Sequence, residues 1–111
     1  MDSETELQHA RQAQAAQQLG KARVCARRAA GWAIRAWYQR TEGAGWRGDA
    51  VKQLSRLRDD PQTPEAIRQA AERLTTQVDE NHELPFEADP VDDAQAIIVF
   101  VAVDKKTLIS P

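Results

Sequence analysis

The stretch Lys21-Ala-Arg-Val-Cys-Ala-Arg-Arg-Ala-Ala-Gly-Trp-Ala-Ile-Arg-Ala-Trp-Tyr-Gln-Arg40 decides the fold class. Ala22, Cys25, Ala26, Ala29, Ala33, Ala36 and Trp37 recur at three- and four-residue intervals, so they line one face of an α-helix. Most of them are small, which lets a neighbouring helix approach closely. Gly31 interrupts a run of good helix formers, where glycine costs ~1 kcal/mol relative to alanine. Close approach of a neighbouring backbone accounts for a glycine there.

Toward the N-terminus, Ser3 and Glu6 have the spacing of a capping box. No residue breaks a helix from there to Gln18, and Leu7, Ala10, Ala13 and Gln14 form a thin inward stripe. A helix running unbroken from Ser3 to Arg40 would be ~57 Å long. A domain of this size has a radius of gyration of ~13 Å. The chain is therefore expected to turn or kink at residues 18–21, with Gly20 at the helix end in the left-handed conformation. A long dimerisation arm is the alternative.

Toward the C-terminus, Thr41-Glu-Gly-Ala-Gly-Trp-Arg-Gly48 reads as a glycine-rich connection. A short helix follows over residues 49–58, with Val51, Leu54 and Leu57 facing inward. Thr63-Pro64 has the pattern of an N-cap followed by proline at the first helical position. That helix is expected to reach about residue 79, on Ile67, Ala70, Ala71, Leu74 and Val78. Leu84 and Phe86 would pin the next connection to the core. Asp89-Pro90 repeats the start signal ahead of Val91, Ala94, Ile97, Ile98 and Val101. Residues 96–103 are rich in β-branched side chains, but the chain offers them no partner strand, and an isolated strand is not viable. The sum is an all-α fold: an antiparallel bundle of four long helices plus one short helix. It forms a single domain over residues 1–111, with its core over about 7–103 and a frayed tail at 104–111.

Composition narrows the function classes. A chain of 111 residues can bury a core without disulfides or metal. Its one cysteine, Cys25, excludes an internal disulfide and a thiolate-rich zinc site. The polar opening MDSETELQ is not that of a secretory signal, and the longest apolar run falls far short of a membrane span. A cytoplasmic location, with no membrane association, is the expectation. The net charge of −2 hides a division. Residues 1–56 hold ten Lys/Arg against five Asp/Glu, a balance of +5; residues 57–111 hold five against twelve, a balance of −7. Either the basic half binds an anion such as RNA, or the two halves lie against each other.

No catalytic constellation emerges. His9 and His82 have no histidine or cysteine three or four residues away, so no metal site and no cofactor is expected. Cys25 reads as a buried, inert thiol, although Arg23, Arg27 and Arg28 would favour its thiolate were it exposed. The pairs Asp59-Asp60, Asp79-Glu80 and Asp92-Asp93 point about 100° apart on a helix and make no ready acid/base pair. Asp92 and Asp93 suit a helix N-terminus. The basic residues are more informative. Lys21, Arg28 and Arg35 recur every seven positions, Trp32 lies four after Arg28, and Trp37, Tyr38 and Trp46 add flat rings. Arginine beside aromatics holds single-stranded RNA, and it equally builds protein interfaces. The candidate binding or interface surface is Lys21, Arg28, Gly31, Trp32, Arg35 and Trp46.

The run from Gly20 to Ala36, the glycine loop, the short helix with Val51, Leu54 and Leu57, the proline-started helix and Asp89-Pro90-Val91-Asp92-Asp93-Ala94 together resemble HEPN domains over roughly residues 7–103. The resemblance implies a bundle of four or five helices that dimerises. It also implies either metal-independent ribonuclease or toxin activity, or an inactive role beside a nucleotidyltransferase partner. Active members carry an arginine, four to six intervening residues and then a histidine on one helix. Here eight residues separate Arg73 from His82, and no arginine precedes His9. No catalytic residue therefore carries over. The expectation is a non-catalytic, homodimeric interaction or binding module. The alternatives are RNA binding, or a ribonuclease with a displaced His82 in a toxin–antitoxin-like system.

Overall fold

The alanine-lined stretch folds as the longest of the five helices among the described residues. A computed structural model describes residues 3–42, 49–76 and 89–103, with side chains of 3–40 in the first segment. The helices are α1 (Ser3–Ala15), α2 (Leu19–Glu42), α3 (Ala50–Asp59), α4 (Glu65–Thr75) and α5 (Pro90–Val103). The described residues contain no strand, and residues 96–103 are helical. The lengths differ from the expected four long helices and one short. Only α2, with 24 residues, is long, while the other four have 13, 10, 11 and 14. Val78, Leu84, Phe86 and the tail 104–111 lie outside the described residues.

Helix α2, ~36 Å long, packs against α1, α3 and α5 and also touches α4. Its buried residues consequently run round most of its girth. Ala22, Cys25, Ala26, Ala29 and Trp37 are buried as their spacing predicts, and so are Arg23, Ala30, Gly31, Ile34 and Tyr38. Ala33 is half-buried and Ala36 exposed, because neighbours cover a different sector at that end. Leu7, Leu54, Leu57, Leu74, Ile97 and Phe100 fill the core from the surrounding helices. The radius of gyration is 13.7 Å.

The turn before α2 exists, but Gly20 does not make it. Gln18 N–H donates to the Ala13 carbonyl (2.8 Å) and Gln17 N–H to the Gln14 carbonyl (3.0 Å). These are the two bonds of a Schellman motif. Its left-handed residue is Gln17, at φ 60°. Gly20 is the second residue of α2, with no neighbouring atom within 4 Å of where a Cβ would stand.

The helix starts also follow local chemistry. Asp49 caps α3, its Oδ1 accepting from Lys52 N–H at 3.1 Å. Asp89 Oδ1 caps α5, accepting from Val91 and Asp92 N–H at 2.9 and 3.3 Å. At α4 the pattern shifts by one residue: Pro64 is the cap, and its carbonyl accepts from Ile67 and Arg68 N–H. Ser3 is already the first residue of α1 rather than its cap, and Glu6 is buried alongside Leu7, Ala10 and Ala13.

A left-handed residue with a Cβ costs roughly 1–2 kcal/mol, of which glycine's greater chain entropy takes back about 0.5–1 kcal/mol. Gln17→Gly should therefore raise the unfolding free energy by about 0.5–1 kcal/mol. The change should appear in urea titration as a higher midpoint with an unchanged slope.

Candidate functional site

Gly31 sets the geometry of the α2–α3 junction. A Cβ built on it would lie 2.8 Å from both Cα and Cβ of Ala50, the first residue of α3. That distance is below any real contact, so only glycine lets α3 seat where it does. With Ala50 turned toward α2, the inward positions of α3 become Gln53, Leu54 and Leu57. This i, i+3, i+4, i+7 ladder leaves Val51 44% exposed, correcting its expected core position.

Beside this contact lies an open groove of about 510 Å³. Helix α2 contributes Val24, Arg27, Arg28, Gly31, Trp32 and Arg35; the start of α3 contributes Asp49, Ala50, Val51 and Gln53. Trp32 is 41% exposed, and the Arg35 guanidinium carbon lies 5.9 Å from its ring centroid. Four members of the sequence-derived surface, Arg28, Gly31, Trp32 and Arg35, thus share one groove. Lys21 is exposed but is not part of it: it sits ~15 Å along α2 from Gly31, beyond the short reach of α3. Trp46 lies outside the described residues, as does His82. Arg27 and Val51 are groove residues that the seven-residue stripe missed. For Arg27 the signal was present, because 24, 27, 28, 31 and 35 form one helical ladder.

Three other arginines, Arg23, Arg73 and Arg56, are committed to structure. Arg23, buried, donates to the backbone carbonyls of Arg73 and Thr76 at the end of α4. Burial pushes its guanidinium below the usual range; Arg27 adds to that and Asp93 opposes it. Arg73 makes a two-bond pair with the buried Asp93, at 3.0 and 2.8 Å, so Asp93 does more than face a helix N-terminus. Arg56 lies 4.4 Å above the Tyr38 ring.

The two halves of the charge division do pack together within one chain. Arg11 donates to Gln95 and Gln14 to Asp89, each at 2.9 Å. Two ion pairs among the described residues, Arg58–Asp59 and Arg73–Asp93, lie within residues 57–111. Arg27, Arg28 and Arg35 have no carboxylate partner among the described residues, so the groove keeps its positive charge.

Trp37 and Tyr38 are core residues, with ring centroids 4.5 Å apart. This removes both from the rings that the sequence offered for surface stacking. Cys25 is buried, and His9 is exposed on α1. Among the described residues no three His, Cys, Asp or Glu side chains gather as metal ligands, and no helix is long and apolar enough to cross a membrane. No protein-family model matches this chain, and no curated protein or solved structure matches it.

Two outcomes follow. Gly31→Ala gains ~1 kcal/mol of helix propensity but overpacks the α3 backbone, which costs about 1–3 kcal/mol. A net loss of about 1 kcal/mol in urea titration is expected. Tyr38, the chain's only tyrosine, has its hydroxyl 3.3 Å from Asp60 Oδ2. Burial first, then the Asp60 charge, pushes its pKa up to about 12. The unfolded chain ionises this group near 10, so this contribution to stability is complete below that pH and is lost as pH rises toward 12. Tyrosinate absorbance should titrate near 12 in buffer and near 10 in denaturant. Tyr38→Phe should flatten the alkaline loss of stability.

Proposed function

We propose that this chain is a non-catalytic, HEPN-like antiparallel bundle that works as a homodimeric binding module and takes its partner in the α2–α3 groove. The observation that carries this reading is the cluster of Arg27, Arg28 and Arg35 around an exposed Trp32, with no carboxylate partner among the described residues. Arginine and tryptophan are the side chains most enriched where binding energy concentrates. The absence of an arginine–histidine pair at the spacing of the active members supports a non-catalytic role.

Support for a dimer comes from α5. This helix is apolar nearly all round, a pattern of helices covered on every side. Yet Ala96, Val99 and Val103 form an exposed stripe on it, with Val99 53% and Val103 43% exposed. A second copy offering the same stripe covers both, and the groove on α2 and α3 stays open for a partner. A nucleotidyltransferase partner belongs to the same reading.

A second reading is favoured by the same groove: RNA binding, with the arginines on phosphates and Trp32 against a base. That binding would weaken steeply with salt as counterions are released.

Sedimentation at tens of micromolar is expected to show a dimer, and Val99→Glu with Val103→Glu a monomer of unchanged helical content. A wild-type monomer at that concentration overturns the dimer.

A further inference from the structure

We infer that the α2–α3 groove receives an acidic amphipathic helix of a partner protein, an inference that rests on the binding-module reading above. The floor of the groove is the Gly31–Ala50 contact, where the two helices touch with no room for a Cβ on Gly31. Its length is bounded by α3, whose 10 residues span ~15 Å, about three turns of a helix. A third helix laid into the furrow between two others is a recurring recognition mode, read by apolar anchors at i, i+3 or i+4. Val24, Trp32 and Val51 supply apolar surface for such anchors, and Trp32 and Val51 are among the few large apolar side chains left exposed.

The charge on the groove selects the partner's sign. Arg27, Arg28 and Arg35 line it without a carboxylate partner among the described residues, and a guanidinium fork matches a carboxylate with two parallel hydrogen bonds. An acidic helix meets these arginines with Asp or Glu flanking its apolar anchors.

Single-stranded nucleic acid fits the same groove less well. Its binding surfaces stack successive bases on successive rings. Among the described residues the groove has one ring, and Arg35 already lies against it. Val24 and Val51 offer nothing to a base, and the Asp49 carboxylate at the edge repels phosphate. The net charge of −2 also disfavours a long polyanion. A helix can hold its carboxylates away from Asp49, whereas a phosphate chain cannot skip a charge.

The test is selection from a displayed library of random helical peptides against the full chain, with a uridine oligonucleotide as competitor. Acidic peptides with apolar residues at i and i+3 or i+4 should be enriched. In fluorescence anisotropy, Trp32→Ala should weaken them at least about tenfold. Because Trp32 is substantially exposed, that variant should keep its helical circular dichroism. Arg28→Glu with Arg35→Glu should reverse the selection toward basic peptides, a switch that mere damage to the fold does not produce.

Enrichment of neutral or basic peptides by the wild type overturns the inference. So does binding insensitive to Trp32→Ala, or failure to recover any peptide. Binding of the oligonucleotide in place of peptides overturns it in favour of RNA. Sedimentation reports separately on the dimer, so loss of the peptide inference and loss of the dimer reading are distinguishable.

Discussion

The contact between Gly31 and Ala50 is the constraint on which the arrangement of the groove depends. A glycine in the middle of a 24-residue helix is a local weakness that the packing offsets. By admitting the start of α3, it turns Ala50, Gln53, Leu54 and Leu57 toward the core and leaves Val51 outside. On α2, Trp32 follows Gly31 and points about 100° away from the contact. This tight contact of two helices thus leaves a tryptophan, a valine and a row of arginines beside it, facing the same opening.

The arginines of α2 divide by what they meet. Arg23 reaches the carbonyl end of α4, where the partial negative charge of a helix terminus favours a cation. Asp93 on α5 holds Arg73 of the same α4 and sits near enough to Arg23 to favour its charge. Two guanidinium groups and one carboxylate therefore join α2, α4 and α5 at the side of the bundle where α4 ends. Both of those carbonyls accept from the same Arg23 nitrogen, Nη2. One turn further along, the arginines lie in the groove and meet no such acceptors among the described residues.

Much of this was legible in the sequence. Asp89-Pro90 marks its helix to the residue, because an N-cap carboxylate and a proline at the first position act locally. Gly31 announces a close neighbour because no other residue type removes the Cβ. The identity of that neighbour was not legible, and neither was the rotation of α3, since Val51 and Ala50 are equally plausible inward positions until Gly31 is seen to meet Ala50. The turn fell at Gln17 rather than Gly20 because a Schellman motif is placed by the last packed turn of α1, and that packing outweighs the preference for glycine. Burial of Arg23 and Asp93 was hidden for a related reason: charged residues read as surface until their partners from distant parts of the chain are in place. The groove was visible only in part, since its α2 side follows a periodicity while its α3 side follows from tertiary packing.

The single cysteine has a use that none of its chemistry suggests. Cys25 is on the central helix, 6% exposed and within the main core. A thiol reagent reaches it only when α2 parts from its neighbours. Its rate of labelling therefore measures local opening of the bundle under native conditions. The wild-type chain carries one thiol and needs no engineering for the measurement.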